Sequence, residues 1–199
     1  MALTGSAGEP PRRIVVAISG ASGSVYGVRL LEALRAAPGI ETHLVVSGAG
    51  WRNLQLETRL AQDDLRALAD FCHPAEDVGA SIASGSFRTA GMVVAPCSMR
   101  TLAAIAHGLG DNLITRAADV VLKERRRLVL LARESPLHLV HLRNMATVSE
   151  MGAIVCPPVP AFYLRPRTVQ DIVDQAAARV LDLLDVPHGL SARWPGEAA

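Results

Sequence analysis

The stretch Arg12–Gly27, RRIVVAISGASGSVYG, decides the fold. It opens on two arginines and becomes the β-branched run Ile14-Val15-Val16-Ala17-Ile18, the composition of a strand buried on both faces. Gly20, Ala21, Ser22 and Gly23 follow at once. Apolar residues at helical spacing come next: Val25, Val28, Leu30, Leu31 and Leu34. Strand, small-residue turn and helix together aim N–H groups and the positive end of a helix dipole at an anion. The turn is neither G-x-x-x-x-G-K-[ST] nor G-x-G-x-x-G. It therefore reads equally as a phosphate cradle and as an ordinary βα connection.

The same alternation recurs outward from this unit. Glu41–Ser47 (ETHLVVS), Gly91–Pro96 (GMVVAP), Leu128–Ala132 and Ala153–Cys156 read as four more strands. Helical patterns cover Ala49–Leu60, Gln62–Phe71, Leu102–His107, Leu113–Arg126, Leu137–Met151 and Thr168–Leu184, the last opening on a Thr168/Asp171 capping box. Residues 72–88 have no clean period and read as a long loop. Strands alternating with helices predict an α/β fold: a doubly wound parallel sheet in three layers, Rossmann-like or flavodoxin-like, as a single domain. That domain is expected over residues 12–186, after a disordered tail at 1–11 and before a C-terminal segment at 187–199. In such sheets ligands bind beyond the carboxyl ends of the strands. Ser22, Ser47, Ser98 with Arg100, Arg133 with Glu134, and Tyr163 follow the five expected strands in turn, which points to one site along that edge.

Composition narrows the alternatives. Half of the 199 residues are hydrophobic and only 4% are aromatic, which suits close helix–sheet packing. The 20 basic and 19 acidic residues nearly balance, and no basic run carries interleaved aromatics, so no nucleic-acid surface is expected. No apolar stretch reaches the ~20 residues needed to span a bilayer. Cys72, Cys97 and Cys156 are an odd number without C-x-x-C, so a disulfide framework or structural zinc is not expected, and a cytoplasmic location is. The N-terminal 1–11 has no apolar core and does not read as a signal peptide.

Some side chains stand out against their pattern. Arg179 follows Ile172 by seven residues, within about 20° of the stripe Val169, Ile172, Val173, Ala176 and Val180. A cation there needs an anion, either a core-edge carboxylate or a ligand. Arg116, Asp119 and Lys123 share one helix face and read as a solvated, ion-paired surface. Arg133-Glu134 leaves a buried strand directly, so its carboxylate serves either an acid–base step or a structural ion pair. His138 and His141 lack a third ligand at metal spacing. Cys97 lacks a His–Asp partner, and Ser22 lies in G-x-S-G, not the hydrolase G-x-S-x-G.

GASGSVYG (Gly20–Gly27), APCSMRT (Ala95–Thr101), DNLITRAADVVLKERR (Asp111–Arg126), LARESPLHLVHLRNM (Leu131–Met145) and PPVPAFYLRP (Pro157–Pro166) together resemble the UbiX family of flavin prenyltransferases. The likeness runs from about Arg12 to Val186. It implies transfer of a dimethylallyl group from dimethylallyl monophosphate to N5 and C6 of reduced FMN. Prenylated FMN and phosphate are the products, with no metal required. It further implies a UbiD-type decarboxylase as recipient and a homo-oligomer, a dodecamer in the family, with sites at subunit interfaces.

Carried over by position, Gly20, Ala21, Ser22, Ser47, Ser98, Met99, Arg100, Thr101 and Arg133 would hold FMN, with Ser22 close to N5. Tyr163, Arg179 and Lys123 would meet the prenyl phosphate, and Glu134 would be a catalytic carboxylate beside it. Glu57 would help move protons at N5, while Arg116 and Trp194 would complete the site. Arg100 stands where many members carry Lys; it keeps the charge and changes the hydrogen-bond geometry. A cysteine-decarboxylase-like flavoprotein is the neighbouring alternative, but its PxMNxxMW-type motif is absent, Arg143-Asn144-Met145 being the nearest fragment. A flavin carrier without turnover is the other.

Overall fold

The computed structural model describes residues 10–191. Its elements run β1 (Arg12–Ile18), α1 (Ser24–Ala36), β2 (Ile40–Val46), α2 (Gly48–Glu57), α3 (Gln62–Arg66), β3 (Phe71–His73), β4 (Gly91–Cys97), α4 (Met99–Ala106), α5 (Leu113–Lys123), β5 (Arg127–Ala132), α6 (Leu139–Glu150), β6 (Ile154–Val155) and α7 (Val169–Leu183). Short 3₁₀ turns occupy Ser81–Ala83 and Phe162–Leu164. The strands form one six-stranded parallel sheet in the order β3-β2-β1-β4-β5-β6. The order reverses between β1 and β4, the switch point where open α/β sheets leave a crevice.

β1 shows why its sequence has no polar face. Ile14, Val16 and Ile18 pack toward Leu30, Leu31 and Leu34 of α1 and Ala177, Val180 and Leu181 of α7. Val15 and Ala17 point to the other layer, with Leu102 and Ile105 of α4, Ile114, Ala117 and Val121 of α5, and Val148 of α6. Successive strand residues alternate faces, so a strand covered on both sides must be apolar throughout. Each such large aliphatic side chain contributes about 1.5–3 kcal/mol on burial.

Two expectations need correction. The segment Gln62–Phe71 is not one helix: the helix stops at Arg66, and Phe71–His73 forms a sixth strand at the sheet edge. Asp70 accounts for the change of direction. Its carboxylate accepts from the Thr42 N–H at 2.7 Å and the Thr42 hydroxyl at 2.9 Å, and its own N–H donates back to Thr42 Oγ1 at 3.0 Å. This staple holds residue 70 against β2, and three residues are too few to show a two-residue period. Arg179 also lies off the core stripe. The buried positions of α7 are Val173, Ala177, Ala178, Val180 and Leu181, Val169 is 77% exposed, and Arg179 is exposed at the rim. It precedes buried Val180 by one position, about 100° around the helix.

Candidate active site

Beyond β1, β2 and β4 the carboxyl edge of the sheet carries the starts of α1, α2 and α4. Ser47 N donates to Ile18 O at 3.0 Å, and Ser47 Oγ caps α2 by accepting from Gly50 N at 3.0 Å. Ser98 Oγ caps α4, accepting from Thr101 N at 3.3 Å and donating to Thr101 Oγ1 at 3.1 Å. By helix geometry the N–H groups of Met99 and Arg100 have no intrahelical acceptor and are available to an anion. Beneath them the buried Ser19 ties β1 to β4: its hydroxyl donates to Pro96 O at 2.9 Å and accepts from Ser98 N at 2.8 Å.

The first turn, Gly20–Gly23, fits between these helix starts for steric reasons. A Cβ at Gly20 would lie 2.5 Å from the Ala49 Cβ, so the turn can approach α2 only without a side chain there. Gly23 caps α1 at φ 106°, the left-handed region that favours glycine. The amino end of α1 is already occupied by Glu57, from the end of α2. Its Oε2 accepts from Gly23 N and Ser24 N, each at 2.9 Å. Of the two readings left open for this turn, the phosphate cradle does not apply at α1, because the protein's own carboxylate takes that seat. Burial pushes the Glu57 pKa up, but hydrogen bonds from Ser22, Ser24 and Gly23 outweigh it and hold the group below the usual glutamate range. Glu57 is ionised at neutral pH and lies beside Ser22.

Arg133 and Glu134 leave β5 on the same edge. Arg133 N donates to Cys97 O at 3.1 Å, which fixes the start of this turn against β4, and both side chains are exposed. The Glu134 carboxylate accepts from Ser135 N at 2.9 Å. Tyr26, from the first turn of α1, is a neighbour that the sequence reading missed. Burial pushes its phenol pKa up and the Arg133 guanidinium pulls it down, so the ring and the cation share one environment.

Beyond β5 and β6 lies a cavity of about 320 Å³, lined by Leu131, Cys156, Pro158, Tyr163, Arg179 and His188 among others. Tyr163, from the turn after β6, and Arg179, from α7, both line it. Arg179 pairs with no carboxylate among the described residues, so the structural salt bridge that the sequence left open is not formed. Burial pushes the Cys156 thiol up and Arg179 draws it down.

Other positions fall differently. Lys123 is not brought to this edge within one chain. α5 begins beside the chain leaving β3, Leu113 N donating to Ala75 O at 2.7 Å, and runs down to the amino edge. There Lys123 pairs with Glu124 at 3.0 Å, four residues before Arg127, which aligns with Gly91 at the start of β4. Arg116, one turn into α5, closes an ion pair with Asp119 at 3.0 Å, the solvated face that its spacing predicts. Arg100 is drawn to Asp111 at 2.7 Å, leaving the backbone of its turn to face the site. Met99 is partly buried against the α4 layer. Cys97 is fully buried and its pKa is pushed up to about 12 by burial, so no nucleophile stands there. The His138 and His141 rings stack with centroids 3.5 Å apart, and His138 Nδ1 accepts from Val140 N at 3.2 Å, a capping role. Trp194 lies outside the described residues.

Comparison with known proteins places these features. The Flavoprotein family model matches residues 4–186. The flavin prenyltransferase UbiX of Neisseria meningitidis serogroup B is 59% identical over 187 residues, covering 94% of this chain and 98% of that protein. The crystal structure of AnUbiX (PadA1) in complex with FMN and dimethylallyl pyrophosphate superposes with a TM-score of 0.92 at 51% identity, covering 94% of this chain and all of that one. A dodecameric FMN-dependent UbiX-like decarboxylase from Escherichia coli O157:H7 superposes at 0.91 with 52% identity, covering 92% of this chain and 100% of that one.

Proposed function

The chain belongs to the flavoprotein family and is a flavin prenyltransferase, and from that premise we propose how its residues divide the work. FMN is its flavin. The carboxyl edge suits that molecule. The first turn of α4 and the start of α2 offer N–H donors to a phosphate, Gly20 leaves room at the turn, and Arg133 with Tyr26 stands where a ring would lie. Gly20, Ala21, Ser22, Ser47, Ser98, Met99, Arg100, Thr101 and Arg133 hold the flavin, its phosphate toward α4 and its ring toward Ser22.

The observation that carries the reading is a second cationic cavity on the same edge, separate from the α4 cradle. Tyr163 and Arg179 share it, and Arg179 is not neutralised by any carboxylate among the described residues. One edge therefore accommodates two phosphate esters. Reduced FMN supplies the electron-rich ring that takes the prenyl group. Arg179 and Tyr163 grip the phosphate of the donor, for which we propose dimethylallyl monophosphate, and stabilise the charge it gains on leaving. Glu134, beside Arg133 at the end of β5, exchanges a proton with that phosphate. The hydrogen bonds that keep Glu57 ionised also weaken it as a base, so it orients Ser22 and lends the proton path at N5 a fixed negative end. The apolar part of the cavity, Leu131, Pro157, Pro158 and Val159, keeps water from the reacting carbon.

We further propose that the catalytic unit is an oligomer, as in the dodecameric relative from E. coli. Lys123 joins a site only from a neighbouring copy, since it lies at the opposite edge of its own sheet, and Arg116, on the same face of α5, comes with it. Exposed Leu137, Leu139, Val140 and Leu142, at and along α6, offer an apolar face for that assembly. We assign the catalytic domain to residues 12–186. No helix among the described residues is long and apolar enough to cross a membrane, and three free thiols fit the reducing cytoplasm. The product, prenylated FMN, passes to a UbiD-type decarboxylase.

The decisive experiment incubates the protein anaerobically with reduced FMN and dimethylallyl monophosphate. The flavin is expected to gain the mass of one prenyl unit with release of phosphate. Unchanged flavin without phosphate release would leave only the carrier reading. A parallel run with dimethylallyl pyrophosphate decides which ester is the donor.

A further inference from the structure

At the amino edge, the end of α5 is braced by the long loop that precedes β4. A left-handed residue closes the helix: Arg125 has φ 56°, and the Arg126 N–H donates back to Val121 O at 2.9 Å. Lys123 and Glu124 therefore stand at the helix end, paired at 3.0 Å. Arg126 reaches the loop. Its guanidinium, only 14% exposed, donates to Gly85 O at 2.7 Å and to Phe87 O at 2.9 Å, and its Nη2 lies 3.7 Å from Glu124 Oε2. One cation thus ties the turn at Ser84–Phe87 to the carboxylate that holds Lys123.

Gly85 lies where this pair needs space. Its backbone is not left-handed, so conformation does not call for glycine there. A Cβ would overlap Glu124 Oε1 and lie 3.0 Å from Lys123 Nζ. Both are the far ends of flexible side chains, so an added methyl group displaces the pair and spares the fold. We propose that Gly85 and Glu124 are positioning residues for Lys123: the turn leaves room for the pair, and the carboxylate, braced by Arg126, holds the ammonium in one place for the donor phosphate bound in a neighbouring copy. The inference rests on the reading that Lys123 serves a neighbour's site. A free lysine gives up rotamer freedom when it meets the phosphate, whereas a held one has already given it up. The ammonium has three N–H groups, so the bond to Glu124 leaves two for the phosphate. The benefit falls on binding the donor.

The test is a double-mutant cycle read by steady-state kinetics, with varied dimethylallyl monophosphate at saturating reduced FMN. Gly85→Ala and Glu124→Ala are each expected to raise KM for the donor about threefold to tenfold, with FMN affinity unchanged. In the Lys123→Ala background neither should raise KM further, because the group they position is gone. A merely structural role would add its damage in both backgrounds. That result, or a KM unchanged or lowered in either single variant, overturns the proposal. If Gly85→Ala folds poorly, Glu124→Ala alone completes the cycle. Lys123→Ala separates the two levels. If it raises KM while Gly85→Ala and Glu124→Ala do not, the shared site stands and the positioning role falls. If Lys123→Ala leaves KM unchanged, Lys123 has no part in the donor site, and this inference falls with that reading.

Discussion

Ser19→Ala tests the joint beneath the flavin cradle. The hydroxyl is 1% exposed and serves both sides of the switch point, donating to Pro96 O at 2.9 Å and accepting from Ser98 N at 2.8 Å. The substitution removes both bonds without changing backbone propensity in a strand end. Pro96 O keeps the bond from Ser19 N at 3.2 Å, so only Ser98 N loses its partner. One buried bond contributes about 1 kcal/mol net, and an orphaned buried donor adds about 1–2 kcal/mol, for about 2–3 kcal/mol in all. For a chain of this length that is a fall in Tm of roughly 5–10 °C. The assay is thermal and urea unfolding followed by circular dichroism, at fixed protein concentration because assembly contributes to stability. Ser84→Ala, which breaks an exposed Ser84–Ser86 contact of 2.9 Å, is the control and should stay within about 0.5 kcal/mol. Because Ser98 N opens the α4 cap, FMN affinity should also fall. Unfolding of Ser19→Ala within the control range would refute the idea that this hydroxyl joins the two strands.

Four further outcomes are expected. Glu57 has a lowered folded pKa, so the stability it contributes is present above the ordinary glutamate pKa and is lost as pH falls through the lower folded value. Glu57→Gln should therefore be less stable than the parent at neutral pH and converge with it in acid, as followed by urea midpoints across pH 3–7 (about the range where glutamates titrate). Glu134→Gln should slow prenyl transfer while leaving FMN bound; equal single-turnover rates would remove the carboxylate from the chemistry. Native alkylation at about pH 8, read by peptide mass analysis, should reach exposed Cys72 first and Cys97 last, since that thiol is buried and its pKa pushed up to about 12. Mixing impaired Lys123→Ala with impaired Arg179→Gln under exchange conditions should regain activity, because some sites in the mixed assembly combine intact residues; no recovery in verified mixed oligomers would place Lys123 outside the site.

The architecture was legible where residues report their own surroundings. The run Ile14–Ile18 has no polar face, and that alone requires cover on both sides, which α1 with α7 and α4 with α5 provide. Strand-end hydroxyls and charges could be placed because parallel connectivity sends every strand out at one edge. The edge strand Phe71–His73 was hidden, since a segment so short has no period and is held by the Asp70–Thr42 staple. The seven-residue spacing from Ile172 puts Arg179 on the apolar stripe, yet Ile172 is itself only partly buried and Val169 is exposed, so the true core stripe runs through Val173, Ala177 and Val180 instead. Glu57 over the amino end of α1 and His188 against Asp182 join positions that only the folded chain brings together. The far-edge position of Lys123 is dictated by topology, because a helix entering β5 must finish at the amino edge; the helix periodicity that singles it out has no bearing on that direction.

The carboxylate of Glu57 gives the cradle an electrical polarity. Of the helix starts around the first turn, that of α1 is neutralised from within and those of α2 and α4 are not. A mononucleotide flavin has its charge at one extremity and an uncharged ring at the other, so it matches this asymmetry in one sense only. The direction in which the flavin lies is thereby set at the helix ends, ahead of any contact with the ring.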